Sequence, residues 1–174
     1  YISTDYNFDL DSNSTISMWV KIADINHDSY SFSSVYTGAS DYWMLMHRAS
    51  VGGVTLQYSH GSAKLTTPSL NLVPNKWTHI VMVRSGPTNV KIYKDSNLIT
   101  DESLQLTNFA SNNFIIGQIA SSNYFNGSID DVRIYNYALS ASEISDLYGV
   151  PPPCINECSV LGIKQCSGSY SQTC

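Results

Sequence analysis

Apolar and polar residues alternate along much of this chain. From Ser14 to Ile22, one side carries Ile16, Met18, Val20 and Ile22, and the other carries Ser17, Trp19 and Lys21. That period of two predicts a strand buried on one face. Trp43-Met44-Leu45-Met46, running on to His47, is a denser apolar run fit for a central strand. Gly52-Gly53 marks a turn and Val54-Thr55-Leu56-Gln57-Tyr58 a returning strand, so this stretch predicts a hairpin. Further strands are expected at Trp77 to Arg84, Val90 to Tyr93, Leu98-Ile99-Thr100, Phe114-Ile115-Ile116-Gly117 and Ile129 to Tyr135, with Tyr1-Ile2-Ser3-Thr4 opening the series. Ser85-Gly86-Pro87 and Asp95-Ser96-Asn97 punctuate them. Short strands with turn signals every 8–12 residues or so predict an all-β sandwich or barrel.

One helix is expected near the end of this series. Ser140-Ala141-Ser142-Glu143 reads as a capping box, in which the serine hydroxyl accepts the amide proton three residues on and the glutamate reaches back. Ile144 and Leu147 then form an apolar stripe for docking on a sheet, Gly149 stops the helix and Pro151 lies beyond.

Composition narrows the classes of partner. The 174 residues suffice for one domain of ordinary size with a little left over, and 12 Tyr, 3 Trp and 5 Phe are core-building material. Only 13% of residues are charged, and Lys+Arg 9 against Asp+Glu 14 leaves −5. So few basic residues argue against nucleic acid, which requires clustered Lys and Arg. No window approaches the roughly 18 consecutive apolar residues of a spanning helix, so no membrane insertion is expected. Ser, Asn and Thr take the place of charge, as in many secreted β-proteins.

The four cysteines, Cys154, Cys158, Cys166 and Cys174, all lie at the end of the chain. Their C-x3-C-x7-C-x7-C spacing is looser than paired zinc ligands, and no His follows residue 79. Disulfides are expected, hence an oxidising, extracellular or cell-surface location; three pairings remain open. Pro151-Pro152-Pro153 reads as a stiff spacer. The organisation expected is a domain over 1–149, a spacer over 150–153 and a Cys-rich segment over 154–174. That last segment reads as the truncated start of a second module in a longer secreted protein.

The run Phe125-Asn126-Gly127-Ser128-Ile129-Asp130-Asp131-Val132-Arg133-Ile134-Tyr135-Asn136-Tyr137-Ala138-Leu139-Ser140-Ala141-Ser142-Glu143-Ile144 resembles the closing signature of laminin-G-like, concanavalin A-like lectin/glucanase domains, and that of pentraxins. Thr15-Ile16-Ser17-Met18-Trp19-Val20-Lys21 resembles the early strand of that family, Asn75-Lys76-Trp77-Thr78-His79-Ile80-Val81-Met82-Val83 its middle strand, and Val90-Lys91-Ile92-Tyr93-Lys94-Asp95 the next. The resemblance covers nearly all of 1–149. It implies a jelly roll of two antiparallel sheets, here with one short C-terminal helix and a small Cys-rich tail.

Such a fold hosts binding modules and glycosidases alike, so the residues must decide. A glycosidase needs two carboxylates flanking one bond. Asp101-Glu102 and Asp130-Asp131 are adjacent pairs whose members point to opposite faces of a strand, and the alternating acids of the family's glucanases are missing. No G-x-S-x-G or H-E-x-x-H motif occurs, so catalysis is not expected. His79 alternates with Trp77 and Val81 and reads as a packed structural histidine. Asp130 shares parity with Val132 and Ile134, which in an unbroken strand would bury its carboxylate and demand partners for it.

The resemblance also implies a calcium position at the sandwich rim. Asp41, just before Tyr42-Trp43-Met44-Leu45, matches one family ligand, and Asn123, before Phe125-Asn126-Gly127, a second. The acids that follow the Ile-Gly-Gln step in pentraxins are absent here after Ile116-Gly117-Gln118, which leaves room for one weak Ca²⁺ site at most; the alternative is an Asp and an Asn in polar turns and no cofactor. Tyr42, Trp43 and Tyr124 adjoin these two ligands and, with Asn123, are the candidates for a sugar platform; Trp43 could instead be core. The expected role is a non-catalytic carbohydrate-binding or adhesion module whose partner is a glycan or an extracellular surface protein. The alternative is a structural spacer or protein-interaction domain without a glycan ligand. Two sequons, Asn13-Ser14-Thr15 and Asn126-Gly127-Ser128, complete the inventory, the second being equally a turn signal.

Overall fold

The structure is a computed structural model that describes residues 2–7, 13–24, 26, 29–38, 41–48, 53–60, 63–66, 70–86, 88–103, 113–119 and 123–149. The spacer and the four cysteines lie outside the described residues, so the expected disulfides and domain organisation beyond 149 rest on sequence.

Thirteen strands and one helix follow one another in the described residues: β1 (Ile2–Asn7), β2 (Ser14–Ile22), β3 (Ser29–Gly38), β4 (Asp41–Arg48), β5 (Gly53–His60), β6 (Ala63–Thr66), β7 (Trp77–Ser85), β8 (Asn89–Lys94), β9 (Asn97–Ser103), β10 (Asn113–Ile116), β11 (Gln118–Ile119), β12 (Asn123–Tyr124), β13 (Gly127–Tyr135) and α1 (Ala141–Gly149). They form a six-stranded sheet in the order β1-β10-β3-β4-β5-β6, a five-stranded sheet in the order β13-β2-β7-β8-β9, and a small β11-β12 pair, all with antiparallel pairings. This is the two-sheet jelly roll that the family resemblance implies, within the all-β class that the strand pattern predicts. β4 sits inside its sheet, and the predicted β4–β5 hairpin is formed, with Leu45 opposite Leu56.

The inner faces of the two sheets share one core. Ile16, Met18, Val20 and Ile22 of β2 meet Ile80 and Met82 of β7 and Val90 and Ile92 of β8; Leu45 and Phe114 close it from the six-stranded sheet. A second, smaller core lies on the outer face of the five-stranded sheet. There α1 docks Ile144 and Leu147, with Leu139, over Val81, Val83 and Tyr93. The capping box forms as expected: Ser140 Oγ accepts the Glu143 amide at 3.3 Å, and Glu143 Oε2 accepts the Ser140 amide at 2.7 Å. The Thr15 hydroxyl ties the approach to the helix down, donating to the Tyr137 carbonyl at 2.9 Å and accepting the Leu139 amide at 3.0 Å.

That second layer corrects the one-faced reading of β2. Ser14 through Val20 are all buried, because α1 and the segment before it cover the face that alternation assigned to solvent. A second correction concerns Asp130. The β13–β2 ladder slips between Asp130 and Arg133, and Asp131 adopts φ 47°. This bulge puts Asp130 opposite Trp19, on the outer face, while Val132 still reaches the core. Asp130 is half-buried and its carboxylate accepts the Asp131 amide at 2.7 Å. Asp131 pairs with Arg133 Nε at 2.8 Å, which holds the guanidinium above its usual pKa.

Candidate functional site

One rim of the sandwich is built by two loops that converge on the end of β2. The Ile22 carbonyl accepts the Asn75 amide at 2.8 Å, and the Ala23 amide donates to the Asn126 carbonyl at 3.1 Å. The first loop, residues 70–76, plugs Leu70 and Leu72 into the core and leaves Val73 exposed. Val73-Pro74-Asn75-Lys76 is a tight turn closed by the Lys76 amide on the Val73 carbonyl at 3.3 Å. Proline suits its second position, and asparagine tolerates the φ of 59° at its third. Lys94 Nζ bolts the loop down, donating to the carbonyls of Leu70 and Asn71 at 2.7 and 2.9 Å.

The second loop is the β11–β12 pair and its exit. Gly117, at φ 78°, turns the chain out of β10. The Phe125 amide returns to the Gly117 carbonyl at 2.9 Å, and Gln118 stands opposite Tyr124, Ile119 opposite Asn123. Gln118 is buried and Phe125 packs against the core, whereas Tyr124 is 55% exposed. The result is a backbone-tethered rim that presents a phenol, with Val73 and the exposed polar residues Asn71, Asn75 and Asn126. Of these, Tyr124 follows from the family resemblance and Asn126 from the sequon and turn signal at Asn126-Gly127-Ser128. The 70–76 loop gains its relevance from tethering to β2, a long-range contact that no local signal announces.

The other expected ligands lie elsewhere. The side chains of Asp41, Tyr42, Trp43 and Asn123 are outside the described residues, but their backbone register is fixed. Asp41 pairs with Gly38 at the far end of β3, and Tyr42 with Tyr36. Ile116 pairs with Ser33, and the chain then runs on toward the start of β3, into β11 and β12. Five residues separate Ser33 from Gly38, about 16 Å at ~3.3 Å per residue, and β12 lies beyond. Asp41, Tyr42 and Trp43 therefore do not share a rim with Asn123 and Tyr124, and one ion does not reach both Asp41 and Asn123.

The two adjacent acid pairs of the sequence lie on separate strands, Asp101-Glu102 on β9 and Asp130-Asp131 on β13. Asp101 lies exposed on β9, bonded to Asn89 Nδ2 at 2.6 Å and to Lys91 at 3.3 Å, contacts that lower its pKa. Glu102 accepts from the Thr100 hydroxyl at 3.0 Å. His79 is 1% exposed, in an aromatic layer: its ring lies 5.1 Å from that of Trp19 and 6.1 Å from that of Tyr148, centroid to centroid. Its Nε2 is 2.8 Å from Ser17 Oγ, but both groups are sealed beneath α1, away from any approaching substrate. Burial lowers its pKa to about 4, against the opposing pull of Asp95 and Asp131.

Two inward-packed antiparallel sheets with a tethered loop rim define a lectin-type jelly roll. The family model of laminin-G-like domains in the concanavalin A-like lectin/glucanases superfamily matches residues 1–145, and the chain belongs to that family. No curated protein matches it by sequence. Among solved structures, it is similar to domain 4 of AbnA, a GH43 extracellular arabinanase from Geobacillus stearothermophilus, in complex with arabinotriose. That likeness has 22% identity and a TM-score of 0.64 over 79% of this chain and 68% of that one. A native heptameric SAP-like pentraxin from Limulus polyphemus aligns with 17% identity and a TM-score of 0.59 over 80% and 70%. The receptor binding domain of a botulinum neurotoxin C/D mosaic serotype aligns with 20% identity and a TM-score of 0.62; this chain spans 80% of its own length but 36% of that domain. At these identities the likeness is one of fold. No helix among the described residues is long and apolar enough to cross a membrane.

Proposed function

We propose that this domain is a non-catalytic carbohydrate-binding module of a secreted or surface-displayed protein, and that sugar docks on the rim carrying Tyr124. The observation that carries the reading is the exposed phenol of Tyr124 on a rim that backbone bonds tether to β2. A sugar ring stacks its C–H face on an aromatic plane, and neutral amides fix its hydroxyls without the desolvation penalty of full charges. The scarcity of charge suits a neutral glycan. The likeness to an arabinanase domain solved with arabinotriose supports the same class of ligand.

Calcium has a limited part in this reading. A weak ion site at this rim would draw on Asn123 and backbone carbonyls, since Asp41 stands at the opposite end of β3. The likeness to a receptor binding domain favours a protein ligand as the second reading, for which a tyrosine-bearing, charge-poor rim is also suited. A glycan array run in millimolar Ca²⁺ and again in EDTA, with wild type and Tyr124→Ala, separates these. Selective binding lost in Tyr124→Ala supports the proposal, and loss in EDTA adds the ion. Binding unchanged in Tyr124→Ala, or no glycan bound in either buffer, overturns it.

A further inference from the structure

We propose that Asn126 is a self-modifying residue, converting through a cyclic imide with Gly127 to aspartate and isoaspartate and so placing a new carboxylate on the rim. In this reaction the Gly127 backbone nitrogen attacks the Asn126 side-chain carbonyl carbon. The new N–C bond closes a five-membered succinimide, the C–N bond to the amide nitrogen breaks, and ammonia leaves carrying the amide proton. Water then opens the ring at either carbonyl, giving aspartate or, with the chain rerouted through the side chain, isoaspartate.

Three observations single out this position. Asn126-Gly127 is the one Asn-Gly step in the sequence, and glycine offers no Cβ to shield the attacking nitrogen. Asn126, Gly127 and Ser128 are all exposed, so water reaches the imide. The third is the direction of the ladder. The Ile22 carbonyl points toward β7, where it accepts the Asn75 amide, while the Ala23 amide points toward β13 and the Asn126 carbonyl. Hydrogen-bonded and non-bonded pairs alternate along an antiparallel ladder, so Gly127 opposite Ile22 is a non-bonded pair. The Gly127 nitrogen therefore faces away from β2, at the outer edge of its sheet. Other asparagines are restrained: Asn13 Oδ1 accepts the Gly86 amide at 2.6 Å, Asn89 Nδ2 bonds Asp101, and Asn97 Nδ2 bonds the Asp95 carbonyl at 2.8 Å.

The fold also preserves the motif. A Cβ at position 127 would run into the Lys21 carbonyl oxygen and the Phe125 ring, so glycine is required there by packing. The position keeps its reactive neighbour for reasons unrelated to the reaction. A carboxylate here, in the chain segment next to Tyr124, would add a negative charge to the rim.

The proposal stands apart from the glycan reading and is tested on the purified full chain by timed incubation at mildly alkaline and mildly acidic pH. Peptide mass mapping with electron-transfer fragmentation then distinguishes asparagine, aspartate and isoaspartate at each site. The expected result is conversion at Asn126 at least an order of magnitude faster than at Asn13, Asn89 or Asn97, faster in alkali, and giving both products. Asn126→Gln should abolish the product at that peptide, while Ser128→Ala, which destroys the sequon, should leave it. Conversion at Asn126 no faster than at the restrained asparagines overturns the proposal. So does a glycan occupying Asn126 in protein secreted by its own host, because the side-chain nitrogen would then be blocked.

Discussion

Lowering the pH from 7 to 5 should destabilise this domain by about 2 kcal/mol through His79 alone. Burial beneath Trp19 and Tyr148 lowers its pKa to about 4, whereas the unfolded chain has the ordinary 6.5. Between those values the unfolded state holds a proton that the folded state refuses. Stability then falls as pH falls, by about 2 kcal/mol at pH 5 and about 3 kcal/mol once the pH is below 4. Ser17 faces the ring from β2, Asp95 from the β8–β9 turn, Asp131 and Arg133 from β13, and Tyr148 from α1. The two acids soften the effect without cancelling it. In a domain of this size ~2 kcal/mol corresponds to a fall of roughly 4–8 °C in Tm. The assay is a pair of thermal melts, at pH 7 and pH 5, on wild type and His79→Gln. Glutamine keeps a polar group within reach of Ser17 but does not titrate, and the other three histidines are common to both proteins. Asp101 and Glu143, whose pKa values are lowered by their hydrogen bonds, lose their contributions only at pH values below this window. Equal pH-induced shifts in the two proteins would refute the reasoning.

Three further outcomes are expected. Tyr124→Ala should abolish retardation by immobilised glycan in affinity electrophoresis while changing stability, read by a melt, by no more than the ~0.5 kcal/mol typical of an exposed site. Gly127→Ala should cost about 1–3 kcal/mol in urea unfolding, because its Cβ meets backbone at Lys21 rather than a side chain that can move aside. Ser140→Ala removes the helix cap and should cost about 1 kcal/mol, seen as faster amide exchange across 141–149 with little change in the inner core.

The strands with strong apolar content were legible in the sequence, as was the capped helix, because each of these is encoded by neighbours in the chain. β3 was not read: Ser29, Ser31 and Ser33 alternate with Tyr30 and Phe32, but Ser34 breaks the alternation before Val35 and Tyr36, and the strand is fixed by β4 and β10 on either side. The short β11–β12 pair was missed for the same reason, its two-residue strands existing only through each other. The outer helical layer hid a further lesson. Trp19 reads as solvent-facing by alternation and is buried by a helix more than a hundred residues away. Of the candidate site, Tyr124 and Asn123 could be named from sequence. That Asp41 belongs to the opposite end depends on strand register, which a one-dimensional pattern does not carry.

Both outermost strands of the five-stranded sheet are interrupted. β13 slips register at Asp131, where an ion pair with Arg133 also stands, and β9 slips where Ile92 and Tyr93 face Thr100 and Leu98. An intruding strand from a neighbouring molecule needs a regular row of amides and carbonyls, and neither margin provides one. Copies crowded together would thus resist zipping along these two margins, even though Leu98 and Ile99 lie exposed on one of them.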